Sequence, residues 1–416
     1  MTDLRDTGIL PGPTLSDIEA ARARLEAIVL RTPMEPSSYL SDVVGYPVHL
    51  KAESLQRTGS YKIRGAYNRI AQLSDDERAQ GVVAASAGNH AQGVALAARE
   101  LGIPATIFMP VGGALPKLQA TRDYGADVIL HGDVVDETLR AAAEYAERTG
   151  ATIIPPFDHP DVVAGQGTVA LEILEQTPDV AHVVVPAGGG GLISGIASAF
   201  AQLAPRLGRR VRVHGVQPAN APWYAASIAA GEPVAVPTLP TIADGTWVGR
   251  PGNLNFAIIR ETVERIVEVS DTETARALVV LLERAKLVVE PSGAMGVAAV
   301  LEDRLDLDGP TVVVLSGANI DPMVMEKVIS RGLAAAARYL KVTIPLPDRP
   351  GQLARISELI ASAGANVVEV QFDRHSTGLQ IYEVEIDISM ETRGAEHAET
   401  VLDALRGAGY APRVSD

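Results

Sequence analysis

Four consecutive glycines, residues 188–191, stand between an apolar run at residues 183–186 and a stretch of helical pattern. Glycine lets the backbone approach a ligand closely, and the start of the following helix supplies free N–H groups and a positive dipole end. The pattern favours a phosphate-binding loop, with a merely flexible turn as the alternative. It is not a Walker loop, because no Lys-Ser or Lys-Thr pair follows. The candidate phosphate-binding residues are Gly188, Gly189, Gly190, Gly191 and Leu192.

A second polar loop follows the apolar run at residues 82–85 and opens another stretch of helical pattern. Its hydroxyl, amide and backbone groups at a helix start would suit a carboxylate. Ordinary helix capping by Ser86 is the alternative. The histidine of this loop, taken alone, is more typical of packing than of catalysis. The candidate substrate-binding residues are Ser86, Ala87, Gly88, Asn89 and His90.

Lysine is scarce, with six in the chain, and Lys62 stands just inside a predicted helix start. A helix N-terminus disfavours an additional positive charge, which would help to keep an amine available as a nucleophile or base. A surface lysine is the alternative. A third polar loop begins at Ser316, after a β-branched run at residues 311–315. Because parallel sheets bind ligands at the carboxyl ends of their strands, we expect the three loops to form one site.

The elements that would position these residues are short apolar runs alternating with longer Ala-rich stretches, from about residue 15 to residue 340. This alternation predicts an α/β region with a mostly parallel sheet covered on both faces. Around Tyr339 the pattern changes to strand, helix, two strands and helix, with room for a final strand, which predicts a ferredoxin-like βαββαβ module. We therefore predict two domains, residues 1–339 (itself two α/β subdomains) and residues 340–416.

The composition excludes several classes of function. The chain has 416 residues, 51 acidic against 36 basic, and a net charge of −15, which argues against nucleic acid or an anionic membrane as a partner. The absence of cysteine excludes disulfides, thiol nucleophiles, cysteine-based zinc sites and iron–sulfur clusters. Residues 1–13 lack the apolar run of a signal peptide, and no run is long enough to span a membrane. We expect a cytoplasmic enzyme or sensor.

Taken in order, these motifs resemble those of the pyridoxal-phosphate-dependent enzymes with the tryptophan-synthase-β fold (fold type II), specifically the threonine/serine dehydratases. The resemblance covers roughly residues 15–335, and the tail from about residue 340, with DRPG at residues 348–351, is similar to an ACT regulatory domain. The matching segments are SYKIRGA at 60–66, SAGNHAQG at 86–93, GQGT at 165–168, GGGGL at 188–192, EPSGA at 290–294 and SGAN at 316–319.

The resemblance implies roles for particular residues. Lys62 would hold pyridoxal phosphate covalently and move the substrate's α-proton, Asn89 would contact the 3′-oxygen of the ring, the glycine loop would bind the phosphate, and Ser316 would face the pyridine nitrogen. The expected reaction converts L-threonine to 2-oxobutanoate and ammonia, with lesser activity on L-serine. Racemases of this family carry a serine where this chain has Ala87, and the residues that match their cation site, Gln217 to Trp223, include no carboxylate. We therefore expect a dehydratase without a bound metal.

Several alternatives stay open at this level. The same scaffold serves serine and 3-hydroxyaspartate dehydratases, and a vestigial catalytic domain would make the chain an amino-acid sensor. The tail would bind a branched-chain amino acid as effector, or would only mediate dimer contacts. The resemblance predicts a homo-oligomer, either a dimer or a tetramer. It leaves both a biosynthetic role (isoleucine formation) and a catabolic role possible.

Overall fold

The computed structural model describes residues 12–374 and 380–415. Backbone contacts divide the chain into one unit that ends at Met325 and a second that starts at Glu326. The sequence pattern places the domain boundary later, at residue 340, because the Ala-rich stretch before Tyr339 continues the helical pattern of the first region. A single helix, Pro322–Ala335, crosses the division and accounts for the difference.

The first unit alternates helices and strands. Its helices are α1 (Leu15–Leu25), α2 (Ser38–Val44), α3 (Lys62–Ile70), α4 (Asp75–Gln80), α5 (Asn89–Leu101), α6 (Leu115–Asp123), α7 (Val135–Thr149), α8 (Pro160–Gln176), α9 (Gly191–Leu207), α10 (Trp223–Ala230), α11 (Asn253–Thr262), α12 (Asp271–Val280) and α13 (Pro291–Leu301), followed by the boundary helix α14 (Pro322–Ala335). Among the helices of the described residues, none combines the length and the apolar character needed to cross a membrane.

Ten strands of this unit form two sheets. They are β1 (Met34–Pro36), β2 (Val48–Lys51), β3 (Val82–Ala85), β4 (Ala105–Met109), β5 (Asp127–Leu130), β6 (Thr152–Ile153), β7 (His182–Pro186), β8 (Arg212–Pro218), β9 (Arg265–Val269) and β10 (Thr311–Val314). The larger sheet has the order β1-β2-β10-β7-β8-β9, parallel except for β1, and the smaller has the order β5-β4-β3-β6, all parallel. The alternation of elements predicts the parallel pairing. It does not predict that β10 returns to lie between β2 and β7, which joins the early and late strands in one sheet and leaves β3 to β6 as a second sheet.

The register of the larger sheet aligns the strand ends that carry polar loops. Val313 of β10 lies beside Leu50 on one side and Val184 on the other, and Val184 lies beside His214. Strands β7 and β10 are buried along their whole length, as expected for strands covered by helices on both faces. The loops after β7 and β10 therefore leave the sheet at the same edge.

Helix α8 packs closely against two helices because glycines line its contacts. A Cβ atom added at Gly165 would lie 2.5 Å from the carbonyl oxygen of Arg64 in α3. A Cβ added at Gly195 in α9 would lie 2.5 Å from the carbonyl oxygen of Val163 in α8. No side chain fits in either place. Helix α8 consequently holds α3, which begins at Lys62, at a fixed distance from α9, which begins at Gly191.

A buried ion network stabilises the same region. Arg64 donates from Nε and Nη2 to the carboxylate of Glu53 at 2.8 and 2.9 Å, and from Nη1 to Glu172 at 2.7 Å. Lys51 donates from Nζ to the other oxygen of Glu172 at 2.6 Å. Although burial raises the pKa of Glu53, the Arg64 guanidinium brings that pKa below its ordinary value. Two cations and two anions are thus paired in the interior, with only the Glu172 side chain slightly exposed.

The second unit contains β11 (Tyr339–Pro347), α15 (Gln352–Ser362), β12 (Asn366–Asp373), β13 (Glu383–Glu391), α16 (Ala395–Gly407) and β14 (Arg413–Val414). The strands form an antiparallel sheet in the order β12-β13-β11-β14, which is the ferredoxin-like arrangement. The predicted βαββαβ fold is confirmed. Strand β13 begins at Glu383, later than the predicted residue 379, because Glu383 closes a turn by donating its N–H to the carbonyl of Gln380.

We predict that Glu53→Ala lowers the free energy of unfolding by about 3–5 kcal/mol, because the substitution leaves the Arg64 guanidinium buried without its main partner. Urea denaturation followed by circular dichroism measures this change. The matched control is Glu175→Ala, which removes a carboxylate that pairs with Arg22 and Arg31 at the surface and should change stability by about 0–1 kcal/mol. Equal losses in the two variants would contradict a structural role for the network.

Candidate active site

One cavity of about 570 Å³ gathers every site residue that the sequence singles out. It lies within the first unit, where the loops after β3, β7 and β10 meet the start of α3. The predicted residues that line it are Lys62, Ser86, Ala87, Gly88, Asn89, His90, Gly188, Gly189, Gly190, Gly191, Leu192 and Ser316. The structure thus brings the three polar loops and Lys62 together around one cavity.

Lys62 is the first residue of α3, and its Nζ donates a hydrogen bond to the carbonyl of Pro156 at 2.9 Å. Burial lowers the pKa of this amine to about 8, while the negative charge of Glu290 acts in the opposite direction. The sequence attributes an available amine to the helix N-terminus, whereas the structure identifies burial as the main cause. Near pH 8 a large fraction of this lysine is neutral and can act as a nucleophile or base.

The glycine loop turns its carbonyl groups towards the protein. The Gly188 carbonyl accepts a hydrogen bond from the Tyr224 hydroxyl at 2.9 Å, and the Gly189 carbonyl accepts one from the Asn255 amide at 2.9 Å. The backbone N–H groups of residues 188–190 donate no hydrogen bond among the described residues. Together with the free N–H groups in the first turn of α9, they are available to an anion.

The glycines of this loop are required by its surroundings. A Cβ atom at Gly189 would lie 2.3 Å from the ring of Phe157. Gly190 has φ of +98°, and a Cβ there would lie 2.6 Å from the hydroxyl of Tyr224. These contacts on both sides of the loop favour a phosphate-binding loop over a merely flexible turn.

Asp158, which no sequence motif singles out, stabilises the helix that supports this loop. Its carboxylate accepts hydrogen bonds from the backbone N–H groups of Asn253, Leu254 and Asn255 at 2.9, 3.0 and 3.3 Å. These three N–H groups belong to the first turn of α11, so Asp158 caps that helix from a distant loop. The cap places the Asn255 amide beside the Gly189 carbonyl.

The loop at residues 86–88 leaves the start of α5 free. Helix α5 begins at Asn89, and no side chain caps it, because the Ser86 hydroxyl accepts its hydrogen bond from the Gly88 N–H at 3.2 Å. The capping alternative for Ser86 is therefore wrong. His90 is buried, its Nε2 lies 2.8 Å from the carbonyl of Ile154, and burial lowers its pKa to about 3. A neutral ring that donates to this carbonyl is a packed histidine.

Four helices, α3, α5, α9 and α13, begin at the cavity without a side-chain cap. By contrast, α1, α4 and α12 begin with complete capping boxes formed by Thr14, Ser74 and Ser270. In α3 the Gly65 N–H donates to Oε1 of Gln166 at 3.2 Å, and α13 begins with Pro291, which has no N–H. The first-turn N–H groups of α5 and α9 are left for other partners, and a bound anion is the usual one.

The loop after β10 is tied to the start of α3. The carbonyl of Ser316 accepts a hydrogen bond from the Tyr61 N–H at 3.2 Å, and the Ala318 N–H donates to the Gly59 carbonyl at 2.8 Å. These bonds place Ser316 in the cavity wall next to the residue that precedes Lys62. Residues far apart in the chain are in this way held in one arrangement.

Three charged residues of the cavity were not assigned from the sequence. Glu290 belongs to the EPSGA segment, for which the sequence predicts no role, and Lys117 is one of six lysines and stands in no motif. Asp244, the first residue of a short 3₁₀ turn at residues 244–246, stands in no motif that the sequence shows. Lys117 donates from Nζ to Asp244 at 2.9 Å, and its side chain passes within 3.0 Å of a Cβ added at Gly88. The ion pair therefore connects the two sides of the cavity.

The segment at residues 217–223 makes contacts within the protein. Gln217 accepts a hydrogen bond from the Tyr224 N–H at 3.0 Å and donates one to Glu268 at 3.2 Å. The indole N–H of Trp223 donates to the Gly188 carbonyl at 3.3 Å. Among the described residues, no cluster of three or more His, Asp or Glu side chains is arranged to hold a metal ion.

Comparison with known proteins identifies relatives over most of the chain. Residues 25–317 match the family model described as pyridoxal-phosphate dependent enzyme. An L-threonine ammonia-lyase from Geobacter sulfurreducens is 48% identical over 94% of this chain and 97% of its own length. A maize serine racemase structure has a TM-score of 0.72 at 35% identity, covering 78% of this chain and 98% of that one. A Solanum lycopersicum threonine deaminase structure (isoform 2) has a TM-score of 0.71 at 36% identity, covering 78% and 96%.

The residues of the cavity fit pyridoxal phosphate. Its aldehyde needs an amine, which Lys62 supplies, and its phosphate needs clustered N–H donors, which the glycine loop supplies. Two buried polar atoms of cavity-lining residues, Glu290 Oε2 and Ser292 Oγ, have no hydrogen-bond partner among the described residues. Buried polar atoms without partners are rare in folded proteins and point to a missing ligand.

We predict that Gly189→Ala weakens the affinity for pyridoxal 5′-phosphate by at least about 10-fold, because the new methyl group would collide with Phe157 and displace the loop. Fluorescence titration of the full-length apo-protein measures this affinity. The control is Gly112→Ala, since a Cβ added at Gly112 meets no atom within 4 Å, and it should leave the affinity within about 2-fold. An unchanged affinity in Gly189→Ala would remove the phosphate from this loop.

Proposed function

The chain belongs to the pyridoxal-phosphate-dependent enzyme family, and we propose that it is an L-threonine ammonia-lyase that forms 2-oxobutanoate and ammonia, with lesser activity on L-serine. The observation that carries the proposal is the single cavity in which Lys62, the glycine loop and the polar loop at residues 86–90 meet. Similarity to an ammonia-lyase along nearly the whole chain supports the same choice.

Pyridoxal phosphate, when bound, supplies an aldehyde that condenses with amines and a ring that withdraws electrons from the substrate's α-carbon. Lys62 would hold the cofactor through Nζ, and the same atom, when free, would take the α-proton of the substrate. Its lowered pKa keeps this amine neutral often enough to act as a base near neutral pH. The Pro156 carbonyl keeps the amine within the cavity wall.

Ser316 and Asn89 would contact the cofactor ring, the serine at the pyridine nitrogen and the asparagine at the 3′-oxygen. A serine hydroxyl does not protonate the ring nitrogen as a carboxylic acid does, so the ring withdraws fewer electrons. This arrangement favours prompt loss of the β-hydroxyl over reactions that need a long-lived carbanion. The proposal of a dehydratase rests partly on that balance.

The charges of the cavity favour a substrate with one carboxylate. Its acidic residues outnumber its basic ones: Asp136, Asp158, Asp244 and Glu290 against Lys62, Lys117 and Arg250. Lys117 is already paired with Asp244, and Arg250 is exposed and bonds Asn253 and the Pro233 carbonyl. The second carboxylate of 3-hydroxyaspartate would meet a lining with more acids than bases, in which Lys117 is already paired and Arg250 is exposed, and like charges oppose its binding.

A serine racemase is the alternative that one of the similar structures suggests. Racemisation needs a group that returns a proton to the face opposite Lys62. Ala87 lines the cavity and carries no hydroxyl for this purpose. Elimination needs no second acid on that face, so Ala87 supports the ammonia-lyase.

We predict that the full-length protein releases 2-oxo acid from L-threonine with a kcat/KM at least about 100-fold above that for L-threo-3-hydroxyaspartate, with L-serine in between. A 2-oxo acid assay across the three substrates measures this ratio.

Lys62→Ala should reduce kcat by at least about 1000-fold and abolish the visible absorbance of the bound cofactor. The control Lys341→Ala, outside the catalytic unit, should match the wild type. A protein that binds the cofactor but acts on none of the three substrates would be a sensor.

We propose further that residues 340–416 are an ACT-like regulatory domain that binds a branched-chain amino acid, isoleucine first and valine as a possible antagonist. The ferredoxin-like unit has a hydrophobic core of its own, which includes Val342, Ile356 and Ile388. The start of α15, after Gly351, lacks a side-chain cap, so its N–H groups could hold an effector's carboxylate. A role in isoleucine formation, a homo-oligomer and a location in the cytoplasm belong to the same proposal, which rests on the family resemblance.

We predict that deletion of residues 340–416 leaves an active enzyme that no longer responds to isoleucine, because the first unit has hydrophobic clusters of its own, which include Val183 and Ile63. Threonine saturation curves of full-length and truncated protein, with and without isoleucine, provide the test. Effector coupling of about 1–3 kcal/mol would shift half-saturation of the full-length protein about 5- to 150-fold. If both proteins respond alike, the tail is a dimer contact and not a sensor.

A further inference from the structure

Glu290 is a buried carboxylate in the wall of the cavity, next to the residues that would contact the cofactor. Its exposed fraction is 2%, and it immediately precedes α13. Oε1 accepts a hydrogen bond from Nδ2 of Asn89 at 2.7 Å. Oε2 has no hydrogen-bond partner among the described residues. A buried carboxylate with only one such bond is unfavourable for folding alone.

Asn89 is held from its other end by Asn319. The Asn319 amide donates from Nδ2 to Oδ1 of Asn89 at 2.7 Å and also to the carbonyl of Thr58 at 2.8 Å. Because the Thr58 carbonyl can only accept, the Asn319 amide cannot be rotated without losing a bond. The polarity of the whole chain of bonds, from Thr58 through Asn319 and Asn89 to Glu290, is thereby fixed in one direction.

This direction decides what Asn89 offers to the cavity. Its amide oxygen is used by Asn319, and one of its two N–H bonds is used by Glu290. The second N–H is left for a ligand, and an N–H donor suits an anionic ring oxygen. A rotated amide would present its oxygen instead, which would repel that oxygen.

We propose that Glu290 is a positioning residue of the cofactor site, which acts with Asn319 to hold the Asn89 amide with one N–H directed at the cofactor. The proposal rests on the proposed role of Asn89. Neither the motif nor the resemblance explains Glu290. A role in holding Asn89 would explain why a carboxylate is buried here despite its unfavourable desolvation.

The electrostatic setting of Glu290 agrees with this role. Burial raises its pKa to about 7, and the negative charge of Asp244 acts in the same direction. Lys117, the hydrogen bond from Asn89 and the charge of Lys62 lower it. Asp244 and Lys117, which form an ion pair with each other, act on Glu290 from the cavity lining, and Lys62 acts on it from the start of α3. Above pH 7 the carboxylate is charged and makes the stronger bond to Asn89.

The test is a double-mutant cycle on the affinity of the full-length protein for pyridoxal 5′-phosphate at pH 8, measured by release from the holoenzyme. Glu290→Ala should weaken the affinity by about 10- to 100-fold, as expected for loss of a hydrogen bond to a charged group. In the Asn89→Ala background the same substitution should change the affinity by less than about 2-fold, because the residue it positions is gone. Glu290→Gln, which keeps an oxygen acceptor, should restore the affinity to within about 3-fold of wild type.

Independent, multiplying effects of Glu290→Ala and Asn89→Ala would overturn the proposal, as would an unchanged affinity in Glu290→Ala or no rescue by Glu290→Gln. If Glu290→Ala does not fold, Asn319→Ala takes its place in the same cycle with the same expectations. Asn68→Ala is the control for loss of a buried amide, since Asn68 bonds Arg24 and the Asp161 carbonyl away from the cavity, and it should stay within about 2-fold. Cofactor affinity does not depend on turnover, so failure of threonine turnover and failure of this coupling are separate results.

Discussion

The close contact of α8 with α3 and α9 is the constraint on which the site depends. Glycines at the crossing points let the backbones touch, and a single Cβ at Gly165 or Gly195 would overlap a neighbouring carbonyl. Helix α3 begins at Lys62 and α9 begins at Gly191, so α8 sets the distance between the amine and the phosphate loop. The segment that leads into α8 adds the Pro156 carbonyl, which binds Lys62, and the Phe157 ring, which packs on Gly189.

Two groups of buried charges in this unit have opposite states of satisfaction. In the network of Arg64, Glu53, Lys51 and Glu172, each charge has an opposite partner at 2.6–2.9 Å. In the cavity, within the part of the chain that the structure describes, one oxygen of Glu290 has no hydrogen-bond partner and the Lys62 amine donates to a carbonyl rather than to a carboxylate. Burial without a partner shifts the pKa of each towards neutrality. The first group stabilises the fold, and the second is suited to contact a ligand. Structural and functional charges usually differ in this way.

The helix starts also differ between those satisfied within the fold and those at the cavity. Capping boxes satisfy the N–H groups of α1, α4 and α12, whereas α3, α5, α9 and α13 begin at the cavity without a side-chain cap. Uncapped helix starts give up roughly 1 kcal/mol each. The free N–H groups at the starts of α5 and α9 are therefore adapted to anionic groups, in agreement with a phosphate at α9 and a carboxylate at α5.

The sequence by itself determined the elements and the identity of the polar loops. Apolar runs located strands such as β3 and β7 and the helices α5 and α9 that follow them, and glycine, serine and lysine in unusual positions marked the loops, because these signals are local in the chain. The tertiary structure alone decided the rest. Only the return of β10 between β2 and β7 divides the strands into two sheets and brings Ser316 beside Lys62. Asp244, Asp158 and Glu290 acquire their partners from segments 95 to 201 residues away. A carboxylate has no local pattern that reveals such a partner, since its pKa and its hydrogen bonds depend on what the fold packs against it.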